Sequence, residues 1–132
     1  SAFNLVSSVI GKMRDSGFGR IVHISSVNGQ KGQFGQTNYA ATKSALLGFS
    51  KSLALEVASK GITSNVVAPG YINTEMVAAI REDILKSIVD TIPSKRLGES
   101  DEIADLVNYL ISDQAAYING ATFSINGGLR MD

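Results

Sequence analysis

The sequence has no cysteine. A disulfide framework and a thiolate metal site are excluded, and the absence is a weak pointer to a reducing compartment. Neither sign of charge prevails: twelve Asp and Glu offset twelve Lys and Arg, so no global field draws in nucleic acid or an anionic membrane. No apolar run approaches the roughly 18 residues that a membrane span requires, and the opening residues lack the basic flank of a signal peptide. These absences predict a cytoplasmic protein with small soluble partners, and neither nucleic acid nor membrane among them. Histidine is scarce too. The one imidazole, His23, lies in a strand pattern without an acidic companion, so it forms no triad or metal site and reads as a packed sheet residue. No metal is expected.

What is present is globular. A length of 132 residues with 44% hydrophobic and 18% charged content suggests one domain. The opening "SAFNLVSSVIGKMRDSG" sets Phe3, Val6, Ile10 and Met13 at helical spacing, with Gly17 and Gly19 read as closing that helix. "RIVHIS" (residues 20–25) is a β-branched run suited to a buried strand, and a polar Gly-rich loop follows it. The next segment, "NYAATKSALLGFSKSLALEVASKG", is a long helical pattern that Gly61 ends, since a residue without Cβ suits the left-handed terminating position. Its stripe of Leu46, Phe49, Leu53 and Val57 and a second of Leu47 and Ala54 provide one face for the sheet and one for a subunit contact. "ITSNVVAPG" makes a second strand, broken by Pro69 and Gly70. One or two short helices are expected within residues 73–91. Ser100 is read as the cap of a later helix with Asp101 and Glu102 in its first turn and Ile103, Leu106, Val107 and Leu110 on its apolar face. "ATFSING" supplies a last strand. Strands separated by helices of this length predict an α/β fold, its parallel sheet covered on both faces.

In such sheets ligands bind beyond the carboxyl ends of the strands. Ser25 and Ser26 stand where the first strand ends and residues 69–74 where the second ends, while Tyr39 and Lys43 are i and i+4 on the first turns of the helix between them. A phenol titrates near 10, so proton exchange around neutral pH asks for a shift of about 3 units, roughly 4 kcal/mol. A lysine ammonium one turn away favours the phenolate, and a serine hydroxyl can hydrogen-bond a substrate oxygen and stabilise its developing charge. Each residue alone has an ordinary explanation as a helix-start aromatic, a solvated charge or a turn former. Together they are harder to dismiss, because a chance match to this spacing is about one in a hundred.

Ser26, Tyr39 and Lys43 in "ISSVNGQKGQFGQTNYAATK", then "NVVAPGYINTEM" (residues 65–76) and "INGG" (residues 125–128), resemble the short-chain dehydrogenase/reductase family along essentially the whole chain. Within it, "SVNGQKGQFGQTNY" and "GYINTEMVAAI" are most similar to the acetoacetyl-CoA-reducing branch, with the 3-oxoacyl-carrier-protein reductases as near relatives. The resemblance implies the C-terminal part of a doubly wound, parallel-sheet Rossmann-type fold. It also implies NADPH-dependent reduction of a 3-oxoacyl thioester, acetoacetyl-CoA to 3-hydroxybutyryl-CoA, with NAD not excluded. By matched position Tyr39 would be the general acid, Lys43 the residue that activates it and holds the nicotinamide ribose, and Ser26 the carbonyl anchor. Pro69, Gly70, Ile72 and Thr74 would hold the nicotinamide end of the cofactor, Ile72 through its backbone, and Gln33, Phe34, Gln36 and Tyr71 would border the acyl pocket. An acyl-CoA or acyl-carrier-protein substrate and a homotetramer follow from the same likeness.

The departure from the family pattern matters as much. A whole member begins with a strand and a Gly-rich turn that seats pyrophosphate at a helix N-terminus, and no such glycine fingerprint occurs here. Residues 1–132 are expected to be the C-terminal catalytic half of one reductase domain, its dinucleotide-binding half absent. The alternative is a non-catalytic remnant that acts only in subunit association. The charged "KRLGESDE" (residues 95–102) reads as a solvated loop and helix cap.

Overall fold

The computed structural model describes residues 1–131. Helix α1 (Ala2–Ser16) leads into strand β1 (Gly19–Ile24), a short helix α2 (Val27–Lys31) and the long helix α3 (Thr37–Val57). Strand β2 (Ile62–Pro69), helices α4 (Glu75–Ala78), α5 (Glu82–Thr91) and α6 (Ser100–Ile111) and strand β3 (Thr122–Ile125) complete the order. The strands form one parallel sheet in the order β1-β2-β3, with Gly19 opposite Ile62 and Val66 opposite Thr122 at the starts of the two ladders. The α/β architecture with a parallel sheet agrees with the sequence pattern.

The period of two along a strand assigns the faces. Ile21 of β1 and Ile62 of β2 meet Val6 of α1 and Leu53 and Val57 of α3 in one buried cluster, flanked by Ile10, Met13 and Phe49. Burying each such side chain contributes about 1.5–3 kcal/mol. On the other face Arg20 donates from Nε to the carbonyl of Ser112 at 3.2 Å, and Leu110 of α6 is fully buried. β2 is therefore enclosed on both sides. β1 is not: its burial alternates, and Ile24 is exposed. Among the described residues β1 has a neighbour on one edge, and the burial of both faces expected from the sequence is complete only along β2.

Two polar groupings inside the sheet are matched, whereas His23 Nε2, Thr63 Oγ1 and Thr122 Oγ1 are buried with no partner among the described residues. Asn65, completely buried, donates to the carbonyl of Ile118 at 2.8 Å and accepts from the amide of Ala121 at 3.0 Å. It thereby pins the segment that delivers β3. Ser50 of α3 and Ser64 of β2, both fully buried, share a hydrogen bond of 2.9 Å.

Three local readings change, and that of Gly61 as a left-handed terminator holds at φ 68°. Gly17 alone closes α1, in the left-handed region at φ 65°, whereas Gly19 begins β1 because a Cβ there would meet Met13 Sδ at 2.8 Å and Ile62 Cγ2 at 2.9 Å. Gly61 terminates a 3-10 turn (Ala58–Lys60) that extends α3, and the Gly17 carbonyl occupies the place of any Cβ it might carry. Ser100 is the first residue inside α6, not its cap. The cap is Glu99, whose N–H donates to Glu102 Oε2 at 2.7 Å. The loop after β1 contains α2, five residues and too short for a periodic signal.

Candidate active site

β1 ends at Ile24, and the ladder runs one bond further, from the Ser25 N–H to the carbonyl of Val67 at 2.8 Å. The Ser25 hydroxyl then donates to the carbonyl of Lys43 at 2.8 Å, fastening the strand end to α3. Ser26 has extended backbone and caps α2 by accepting the Asn28 N–H at 3.1 Å. Its own hydroxyl proton has no acceptor among the described residues and is free to donate outward. Helix α2 lies close on α3: a Cβ at Gly29 would stand 2.7 Å from Lys43 Cβ, and the Ser44 hydroxyl donates to the Gly29 carbonyl.

Tyr39 is the third residue of α3 and is 42% exposed, so its phenol is open to a ligand. Lys43, one turn later, donates from Nζ to the carbonyl of Ile24 at 2.9 Å, and Nζ lies 5.8 Å from the centroid of the Tyr39 ring. One of three ammonium protons is thus committed, and two remain. Lys43 and Tyr39 lie beside the carboxyl end of β1, and Ser26 follows that strand end by two residues.

The second segment, residues 69–74, is held from two sides. Gly70 donates to the Ile125 carbonyl at 2.9 Å, and a Cβ on it would strike Asn126 Cβ at 2.8 Å, so only glycine permits that approach. Ile72 forms an isolated bridge with Gly98: Gly98 donates to the Tyr71 carbonyl at 3.0 Å and Asn73 donates to the Gly98 carbonyl at 2.7 Å. That pattern uses the groups flanking Ile72 and leaves its own N–H and C=O turned away from Gly98, without a partner among the described residues. Thr74 accepts the Val77 N–H at 3.4 Å and caps α4. Pro69 ends β2 and is half-buried.

The residues expected to border an acyl pocket divide. Gln33 and Phe34 are exposed in the loop before α3. Gln36 is the residue before α3 but makes no side-chain cap; its Oε1 accepts instead from Asn28 Nδ2 at 3.0 Å. Tyr71 lines a different cavity, of about 90 Å³, with Arg96, Leu97, Ile103 and Asn126. That is small for a ligand pocket, which typically needs about 300 Å³ or more, and it includes none of Ser26, Tyr39 and Lys43. Beside it Arg96 and Glu102 form an exposed ion pair of 2.7 Å, and with the Glu99 N–H it draws the Glu102 carboxyl down to about 2.

His23 is buried against Phe49, ring centroids 5.4 Å apart and nearly perpendicular, and burial lowers its pKa. Its Nε2 has no partner among the described residues. It stays a packed sheet residue, as expected. Asn28 and Gly29 were missed by sequence reasoning. The one signal for Asn28 was its place two residues after Ser26, at the position whose N–H an N-cap hydroxyl seeks.

The family model described as enoyl-(acyl carrier protein) reductase matches residues 1–130. An acetoacetyl-CoA reductase of Cupriavidus necator is 59% identical over 131 residues, which is 99% of this chain and 53% of the relative. The nodulation protein G of Azospirillum brasilense is 57% identical over 129 residues, 98% of this chain and 52% of the relative. The Escherichia coli 3-oxoacyl-[acyl-carrier-protein] reductase FabG is 52% identical over 131 residues, 99% of this chain and 54% of the relative. The chain spans about half the length of these curated relatives. With a parallel sheet, a tyrosine and lysine one turn apart at its carboxyl end, and a family match along nearly its whole length, the chain belongs to the short-chain dehydrogenase/reductase family.

Proposed function

We propose that residues 1–132 are the C-terminal catalytic half of a cytoplasmic reductase domain that uses NADPH, with NAD as the lesser alternative, to reduce acetoacetyl-CoA to 3-hydroxybutyryl-CoA. The observation that carries this reading is Lys43 Nζ, tied to the Ile24 carbonyl at 2.9 Å beside the Tyr39 ring, with Ser26 on the adjoining turn. In this reading the uncommitted Ser26 hydroxyl donates to the β-carbonyl oxygen of the substrate. Tyr39 delivers a proton to that oxygen as it becomes an alkoxide, and Lys43 stabilises the negative charge left on the phenol. A reduced nicotinamide, when bound, supplies the hydride to the carbonyl carbon. Its fit rests on Ile72, whose free backbone N–H and C=O suit a carboxamide, on the close turn at Gly70 with Pro69, and on Thr74, while the two remaining Lys43 protons suit ribose hydroxyls.

Gln33, Phe34 and Gln36 are assigned to the acyl side of the site. Tyr71 is assigned there as well, although it lines a separate cavity in this chain. A homotetramer is proposed from the family likeness. A second substrate reading, 3-oxoacyl-carrier protein, is favoured by the 52% identity to the carrier-protein reductase. Steady-state rates of the full-length protein with acetoacetyl-CoA and with 3-oxoacyl-carrier protein decide between them: a kcat/KM ten times or more in favour of the carrier substrate, about 1.4 kcal/mol, reverses the assignment. In the same assay Tyr39→Phe is expected to lose at least about 100-fold in kcat while NADPH still binds. A loss of less than about tenfold removes Tyr39 from its role.

A further inference from the structure

Asn28 is 8% exposed and carries two bonds that converge on the site. Its backbone N–H meets the Ser26 hydroxyl at 3.1 Å, and its side-chain Nδ2 donates to Gln36 Oε1 at 3.0 Å. Its Oδ1 is buried without a partner among the described residues. The orientation of the amide follows from that asymmetry. Turned over, Oδ1 would accept from Gln36 and leave Nδ2 buried with no acceptor, and orphaned buried N–H groups are rarer than under-used carbonyl oxygens. Gln36 is held by its oxygen, so its amide nitrogen is left with both protons uncommitted on an exposed side chain.

We infer that Asn28 is a positioning residue that fixes the amide of Gln36 with its N–H donors outward, so that the site selects an acyl group presenting a hydrogen-bond acceptor, the carbonyl oxygen of a thioester. This rests on the assignment of Gln36 to the acyl side of the site. Because the bond to Ser26 comes from the Asn28 backbone, side-chain substitutions at this position spare it and act through Gln36.

The test is a double-mutant cycle in the full-length enzyme with acetoacetyl-CoA and NADPH: wild type, Asn28→Leu, Gln36→Met and the pair. Each single variant is expected to raise the KM for acetoacetyl-CoA about 5- to 10-fold, the worth of one hydrogen bond. The kcat and the KM for NADPH should stay within about twofold, as expected where binding alone is lost. The double variant should be no worse than either single one. Losses that multiply in the pair, or an Asn28→Leu effect spread over kcat and the KM for NADPH, overturn the inference and leave the proposed reaction standing. Should Asn28→Leu fail to fold, Gln36→Met, at an exposed position, decides alone: an unchanged KM for acetoacetyl-CoA overturns it. A wild-type enzyme inactive on every 3-oxoacyl thioester overturns the reaction and the inference together.

Discussion

Replacing Gly29 with alanine adds a methyl group where α2 has no room for one. The new Cβ would stand 2.7 Å from Lys43 Cβ, 2.9 Å from the Lys43 carbonyl carbon and 3.0 Å from Ser25 Oγ, where comfortable contacts lie at about 3.5–4.0 Å. None of these neighbours is the loose end of a side chain. Two belong to the frame of α3, and Ser25 Oγ is held by its 2.8 Å bond to Lys43. α2 must therefore move away, at an overpacking cost of about 1–3 kcal/mol. The better helix propensity of alanine offsets about 0.5–1 kcal/mol of that. The expected net loss is about 0.5–2 kcal/mol, and kcat should fall with it because Ser26 caps the displaced helix. Gly48 is the internal control: it lies within α3 with nothing inside 4 Å of its added Cβ, so Gly48→Ala should stabilise by about 0.5–1 kcal/mol. Urea midpoints of the two full-length variants measure both. A Gly29→Ala protein as stable as wild type would refute the packing argument, and a destabilised Gly48→Ala would refute the control.

Lys43→Met should lower kcat and move the onset of the reverse, alcohol-oxidising reaction to higher pH, because the cation that favours the phenolate is gone; a pH–rate profile superimposable on wild type removes Lys43 from the proton chemistry. Burial holds His23 below its ordinary 6.5, so above that value it costs nothing, and as pH falls through 6.5 the unfolded chain takes up a proton that the folded one resists. Stability should thus decline from pH 7.5 to 5.5 with a component that His23→Leu abolishes; denaturation midpoints that change equally in both proteins would contradict this. The isolated 132-residue chain exposes the free edge of β1 together with Phe3, Leu5, Val9, Phe18 and Ile24. It should self-associate in sedimentation and bind NADPH no better than about millimolar, some 4 kcal/mol. A monomer with micromolar affinity would show that these residues are a whole binding domain.

The elements that carry Ser26, Tyr39 and Lys43 were legible because each rests on a local rule: a β-branched run ending in serines, and an i, i+4 pair on a helix. Short or reciprocal features were not. α2 spans five residues, and its start depends on the Ser26 hydroxyl finding the Asn28 N–H. At α6 the serine was the natural candidate for a cap, yet Glu102 reaches back to the N–H of Glu99 and sets the start one residue earlier. Gly19 looked like part of a helix stop until Met13 and Ile62 proved to close on it. The bond between Asn28 and Gln36 joins two polar side chains across a turn, and no periodicity reports such a contact. Tyr71 shared a motif with its neighbours, but the bridge at Gly98 orients its segment toward Arg96 and Asn126.

The bond from Lys43 to Ile24 has a further effect on the sheet itself. Since the Ser25 N–H points to β2, the alternation of the ladder turns the Ile24 carbonyl to the opposite, open edge of β1. That carbonyl is the last one an added strand could use, and the ammonium already occupies it. The last outward carbonyl of β1 is thus already hydrogen-bonded to a side chain of α3 beside Tyr39, with one lone pair left. Lys43 couples the end of the strand to the helix that carries Tyr39, and Lys43→Met would release that carbonyl as well as remove a charge.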